Sequence, residues 1–307
     1  MPPYQPSTQT STQTSTRTST QTSVQPAVFD QTTRRHLLAA AAATAGTWAL
    51  ALPRAALAQT EAFDQRHSAW AALLKKHVVV LDGGHASQLR YAGMAADRAA
   101  LKAYLAQLSA VPAAMLESWP KPQQMAFLIN AYNAFTVELI LGKYPKLASI
   151  KDLGNLLQSP WKQSFVPLLG GTLSLDQIEH ENLRTPGRFN DPRIHFAVNC
   201  ASVGCPMLRE EAFVADRLDA QLDEQSLRFL SDRSRNRYAD GKLQVSKIFD
   251  WYGADFKQGH RGITSLPVFL ARYATQLADA PADRSRIQAG TVPVAFLDYD
   301  WALNAAK

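Results

Sequence analysis

Between Asp191 and Arg209 the chain gathers most of the residue types that carry chemistry, in the order D-P-R-I-H-F-A-V-N-C-A-S-V-G-C-P-M-L-R. Both of its cysteines, Cys200 and Cys205, stand in this stretch. A thiolate is a nucleophile and a soft metal ligand, so four chemistries are open. The pair can close a disulfide if the chain is exported to an oxidising compartment. Cys200 can be a nucleophile if His180 or His195 takes its proton. Cys200, Cys205, His180 and His195 have the ligand types for zinc, although C-x4-C is looser than the common C-x2-C. A redox pair is the fourth, without the C-x-x-C of thioredoxin-like proteins.

Glu179-His180 is the second focus. A carboxylate beside a histidine can orient it, and His180 and Arg184 share a helix face at i, i+4. Asn130 and Asn133 lie one turn apart in an otherwise apolar helix, where Asn is a poor residue. Buried amides without partners cost on the order of 1–3 kcal/mol each, so these two are expected to brace a loop or line a site. One reading makes the domain a hydrolase or transferase, with Cys200 as nucleophile, His180 as base and Glu179 as orienting acid. Asn130 or Asn133 then stabilises charge, and His195 is a further candidate. A second reading is a binding domain for a small molecule or peptide. There a Cys200–Cys205 disulfide stiffens the loop, and Trp251, Tyr252 and Trp301 touch the ligand. The third is a zinc domain. His67, His77, His85 and His260 have no comparable surroundings and read as surface or packing residues.

The elements that must position these groups follow from periodicity. Residues 61–76 and 95–110 read as helices, the second on Leu101, Tyr104, Leu105 and Leu108. A helix is expected over 121–143, apolar nearly all round and therefore buried, with Pro122 in its first turn. Residues 165–175 read as a hairpin turning at Gly170-Gly171, and Ser174 or Asp176 then caps a helix carrying Glu179 and His180. Residues 193–199 read as a buried strand. That strand puts His195 on the same face as Asn199, about 13 Å away at ~3.3 Å per residue. An amphipathic helix over 215–233, a strand over 243–249, a helix over 264–277 and a late strand over 292–297 complete the pattern. Helices outnumber short strands, which predicts a single α+β domain, helix-rich, with a small, mostly antiparallel sheet.

Together these stretches resemble the DUF547 family, a family of unknown function. The resemblance rests on Ala126–Ala134 (A-F-L-I-N-A-Y-N-A), Leu173–His180 (L-S-L-D-Q-I-E-H) and Asp191 through Cys205-Pro206. It also rests on Ser246–Tyr252 with Asp255-Phe256, and on Tyr299-Asp300-Trp301. It extends over about residues 65 to 304. It implies a protein of a kind often exported in bacteria, and joined in some plant members to coiled-coil or glutaredoxin-like segments. It also implies that Asn130, Asn133, Glu179, His180, His195, Cys200 and Cys205 form one cluster, without assigning them roles.

The first 58 residues differ from the rest. Residues 1–25 are nearly a polar Ser-Thr-Gln repeat, with too little apolar surface to offset the entropy of ordering. Arg34-Arg35 then precedes an alanine-rich apolar run and Ala56-Leu57-Ala58. Basic, apolar, then A-x-A is the order of a secretory signal, and the paired arginines select the twin-arginine route. Cleavage is expected after Ala58, leaving residues 59–307 as one exported, periplasmic globular domain. Translation is expected to start at a non-AUG codon nearer the arginines, for example at Val24 or Val28. The apolar run of about 16 residues is short for a bilayer span, which needs roughly 20, so no stable span is expected once the signal is removed. Residues 1–58 hold Arg17, Arg34, Arg35 and Arg54 against Asp30, so the net charge falls from +6 to +3 without them. With no arginine-rich helix or aromatic-basic platform, nucleic acid is not an expected partner.

Overall fold

The computed structural model describes residues 62–155 and 158–307. The tail, the signal and the cleavage point expected within residues 1–58 lie outside the described residues.

The first half is helical. α1 (Ser68–His77) buries Trp70, Leu73 and Leu74, and leads into an antiparallel pair, β1 (Val78–Val80) and β2 (Ser87–Leu89). α2 (Tyr91–Ala96) and α3 (Arg98–Ser109) follow, and the stripe Leu101, Tyr104, Leu105 and Leu108 is buried as its spacing predicts. α4 (Ala113–Ser118) is one short helix before the central one, α5 (Lys121–Leu141). α5 starts with Pro122 in its first turn, where no amide hydrogen is needed. It is buried without a break from Gln124 to Val137, so Asn130 and Asn133 are interior residues.

The hairpin forms from β3 (Val166–Leu168) and β4 (Gly171–Leu173). Its turn is Leu169-Gly170, both with positive φ (55° and 82°), one residue earlier than the glycine pair suggests. Two-residue hairpin turns favour that backbone because it matches the strand twist. Ser174, rather than Asp176, caps the next helix. Its hydroxyl accepts from the Gln177 amide while the Gln177 side chain accepts from the Ser174 amide. This helix, α6 (Leu175–Gln177), widens at once into a π-helical turn, Ile178–Leu183, which carries Glu179 and His180.

The predicted strand over 193–199 is absent. Pro192–Phe196 is a buried 3-10 turn capped by the Asp191 carboxylate, which accepts from the Arg193 amide. The alternation of faces inferred from a strand therefore does not apply to His195 and Asn199. The segment is apolar because it lies between two apolar clusters: Ile194, Ala197 and Val198 join the one built on α5, and Phe196 joins the other. That second cluster is a set of phenylalanines (196, 229, 249, 256 and 269) assembled from the C-terminal elements.

α7 (Leu218–Ser231) packs against the 3-10 turn, and Arg193 pins the two together through Asp191, Asp219 and Asp223. β5 (Arg237–Ala239) and β6 (Lys242–Val245) form a second hairpin. β6 stops before Phe249, and α8 (Ile248–Trp251) replaces the expected strand end. α9 (Leu266–Ala271), α10 (Ala274–Leu277) and α11 (Pro281–Gln288) precede β7 (Val294–Phe296), which joins β6 in parallel. The result is a helix-rich α+β fold with small, mostly antiparallel sheets. Among the described residues no helix is long and apolar enough to cross a membrane.

Candidate functional site

The cysteine loop is held by buried amides. Asn133 donates to Ala197 O at 2.9 Å and accepts from the Asn199 amide at 2.8 Å. Asn199 in turn donates to Pro206 O at 2.7 Å and accepts from the Ala201 amide at 2.9 Å. The C-terminal segment closes the other side: Val203 and Gly204 donate to Ala302 O and Asp300 O, and Asn304 donates to Ala201 O. A Cβ on Gly204 would sit 2.9 Å from Asp300 O, so only glycine lets these backbones approach so closely. These ties hold Ala201, the residue after Cys200, at φ 63°. A left-handed backbone costs a non-glycine residue on the order of 1–2 kcal/mol and persists where its surroundings over-determine it, often at functional sites.

Cys200 is half-buried and Cys205 buried, and both are free thiols. The Cys200 amide donates to Cys205 Sγ at 2.9 Å. Cys200 Sγ lies 3.1 Å from the Tyr299 hydroxyl and 3.3 Å from Ser202 Oγ. Burial pushes the Cys200 thiol up, but the bonds from Cys205, Ser202 and Tyr299 outweigh it and hold it below the ordinary thiol range. Cys205 moves the other way: burial, then the neighbouring Cys200 charge, push its thiol well up. Burial also raises the Tyr299 phenol well above its usual range, so its hydroxyl stays protonated and donates to the Cys200 sulfur.

Cys200 and Cys205 line a cavity of about 30 Å³ with Glu179, His195 and Val198. Its remaining wall is largely aromatic: Tyr132, Trp161, Trp251, Tyr252, Tyr299 and Trp301. Three buried polar atoms of this wall have no hydrogen-bond partner among the described residues: His195 Nδ1, Glu179 Oε1 and Trp161 Nε1. Buried polar groups are almost always paired, so three unpaired ones on residues that line one small cavity single it out as the candidate site.

His195 is fixed from behind. Its Nε2 lies 2.7 Å from Asp255 Oδ2, and its ring stacks on Tyr252 with centroids 3.9 Å apart. Asp255 also accepts from Arg184 Nε at 2.6 Å. Burial raises the Asp255 carboxyl, but His195 and Arg184 outweigh it and hold it well below the usual carboxylate range. Burial lowers the His195 imidazole more than Asp255 raises it, so the ring is neutral. A neutral ring facing an ionised carboxylate through Nε2 carries its hydrogen there, which leaves Nδ1 as a bare acceptor.

The other residues singled out from sequence lie elsewhere. His180 does not line the cavity: its Nδ1 accepts from Arg184 and its Nε2 is 3.6 Å from Asp176. Asn130 holds the backbone of Phe213, accepting from its amide and donating to its carbonyl. Asn133 braces the cysteine loop, and neither asparagine lines the cavity. The zinc reading finds no support in the geometry. Among the described residues no group of three or more His, Cys, Asp or Glu side chains is placed to hold a metal ion. His180 is tied to Arg184, and His195 presents a single open nitrogen. A wider groove of about 390 Å³, lined by Lys121, Arg188, Phe189 and His260 among others, contains no thiol.

Asp255, Trp161 and Tyr299 acquire their place only in three dimensions. Asp255 and Tyr299 stood in stretches quoted for the family resemblance, but no spacing tied them to His195 or Cys200. A family model described as a protein of unknown function, DUF547, matches residues 116–230. That span contains Asn130, Asn133, Glu179, His195 and both cysteines, and ends before Asp255 and Tyr299. No curated protein and no solved structure matches the chain. The segment that carries the cysteine loop and most of the cavity's polar groups is thus the part of the chain that is similar to the DUF547 family.

Proposed function

We propose that this is a thiol-dependent acyl hydrolase or transferase in which Cys200 is the nucleophile, His195 the base and Asp255 the group that orients the base. The observation that carries the reading is that His195, whose Nδ1 is bare while Asp255 holds Nε2, lines the same cavity as Cys200. Cys200 gives its proton to Nδ1, directly or through one water. The thiolate then attacks an acyl carbon, and the leaving group departs with the proton held on His195. The thioester that remains passes its acyl group to water or to another acceptor. Ser202 and Tyr299 stabilise the thiolate, and the Trp161 N–H is an open donor for the developing oxyanion. Residues 1–58 are proposed to be the tail and twin-arginine signal that deliver the domain outside the cytoplasm.

Reaction with p-nitrophenyl acetate tests this. A burst of nitrophenolate is expected, together with an acetyl group located on Cys200 by mass spectrometry. Cys200→Ser and His195→Ala should abolish both. Turnover that survives in both variants would sink the proposal. A second reading, a Cys200–Cys205 disulfide that stiffens a ligand loop, is supported by the bond from the Cys200 amide to Cys205 Sγ. It predicts an intact mass about 2 Da lower in the oxidised protein and no burst until a reductant is added.

A further inference from the structure

Glu179 is a buried carboxylate with an open oxygen. It is 2% exposed, and its Oε1 has no hydrogen-bond partner among the described residues. It also receives a hydrogen bond from the Tyr252 hydroxyl. Arg184 lies near enough to feel its charge, but that guanidinium is bonded to Asp255 and His180 and sits 4.8 Å over the Tyr252 ring. A buried carboxylate oxygen calls for a cation or a strong donor. The rest of the wall consists largely of the faces and edges of six aromatic rings. Aromatic walls with a carboxylate at one end form a receptor for an organic ammonium group. Size narrows the class. A cavity of about 30 Å³ has room for roughly one or two water-sized groups. It accepts the end of a primary amine and rejects a quaternary one.

We propose that this cavity seats the primary ammonium group of an acyl acceptor, so that the domain transfers acyl groups to amines. The inference rests on the thioester chemistry proposed above and names its second substrate. The ammonium gives one proton to the Glu179 carboxylate and becomes the free amine. The amine nitrogen attacks the thioester carbon of acylated Cys200. The C–N bond forms, the C–S bond breaks, and sulfur leaves with the electron pair as thiolate. The second nitrogen proton goes to His195 Nδ1. Return of that proton to Cys200 and of the Glu179 proton to solvent restores the site. The products are an amide, the thiol and one proton.

The test separates binding from chemistry. The full chain carrying Cys200→Ser is titrated with ethylamine at neutral pH while tryptophan fluorescence is followed, three of the six tryptophans (161, 251 and 301) lining the cavity. A saturable change is expected with ethylammonium and none with tetramethylammonium. Adding Glu179→Gln should weaken ethylammonium binding by about tenfold or more, the loss expected for a charge-assisted hydrogen bond. No saturable response to ethylammonium, equal responses to the two cations, or unchanged affinity in Glu179→Gln would each overturn the proposal. The comparison of cations keeps Glu179 intact, so it stands if that variant fails to fold. Selective alkylation of Cys200 by iodoacetamide in the unsubstituted chain reports the nucleophile separately. A labelled Cys200 without amine binding rejects the acceptor and leaves the nucleophile in place.

Discussion

His195 Nε2 lies 2.7 Å from Asp255 Oδ2, and the ring's other nitrogen is buried without a partner among the described residues, on a residue that lines the same cavity as Cys200. This geometry sets the tautomer: an ionised Asp255 can only accept, so Nε2 must donate and Nδ1 must be bare. Asp255→Asn removes the charge, and the amide can turn to donate to Nε2. That moves the ring hydrogen to Nδ1, where it blocks proton transfer from Cys200. Ester turnover should fall by about 10²–10⁴-fold, the usual contribution of a positioned base. Nitrogen NMR of His195 should show the exchanged tautomer. Turnover within a few-fold of the unsubstituted chain would mean that Asp255 serves only to hold Arg184.

The two thiols should differ in reactivity. Cys200 is half-buried and held below the ordinary thiol range, whereas Cys205 is buried and pushed above it. Iodoacetamide should therefore modify Cys200 in the folded chain at near-neutral pH and reach Cys205 only on unfolding. Tyr299→Phe removes the hydroxyl 3.1 Å from Cys200 Sγ, which raises the Cys200 thiol towards its ordinary value. Labelling should slow several-fold below pH 7 and recover in alkali, where both proteins carry the thiolate. An equal rate at every pH would show that Tyr299 does not act on the sulfur.

Much of the fold was legible because its cause is local. The stripe of α3, the apolar run of α5 and the 165–175 hairpin announce themselves within a few residues, although the glycine pair set the turn one residue too late. The 192–198 segment misled for a physical reason. It feeds apolar side chains to two clusters at once, and a short run buried all round looks the same as strand or turn. Asp191-Pro192, an N-cap followed by proline at the first helical position, was the signal for a helical turn. At the site, the sequence pointed to Cys200, Cys205, Glu179 and His195, which share the cavity. It also pointed to His180, because His180 adjoins Glu179, yet a neighbour in a π-helical turn points elsewhere. Asp255 could not be found from spacing, because its partner His195 is 60 positions away.

Asn133 tests whether the loop depends on the helix beneath it. Asn133→Ala leaves Ala197 O and the Asn199 amide without their buried partner. The cost should be on the order of 2–6 kcal/mol, at about 1–3 kcal/mol per orphaned group. Asn133→Asp keeps the acceptor for Asn199 but loses the donor to Ala197, and should still slow Cys200 labelling. Gly204→Ala strains the same loop from the other side by forcing a Cβ to 2.9 Å from Asp300 O. Overpacking of this kind costs about 1–3 kcal/mol. Denaturant midpoints measure all three. A Gly204→Ala variant as stable as its parent would mean that the C-terminal segment is free to move away.

Stability should depend on pH through a histidine outside the cavity. His67 is 1% exposed, and its Nδ1 is 2.7 Å from the Tyr104 hydroxyl. Burial lowers its imidazole to about 4, although the Asp64 charge pulls the other way. The unfolded chain takes up a proton here near pH 6.5, while the folded chain resists until about pH 4. The unfolded state therefore binds more protons in this window, and stability falls as pH drops through it. At about 1.4 kcal/mol per pH unit the loss is on the order of 3 kcal/mol, and it levels off below pH 4. His67→Asn keeps a residue that tolerates the φ of 51° at this position. The variant should be less stable at pH 7, but its stability should fall less steeply between pH 6.5 and 4. His195 and His260, also lowered by burial, add to the slope that remains, and carboxyls held low in the fold, such as Asp255 and Glu211, add to it as pH approaches 4. Urea unfolding at a series of pH values gives both curves. Parallel curves would show that His67 takes up its proton at the same pH in the folded and the unfolded chain.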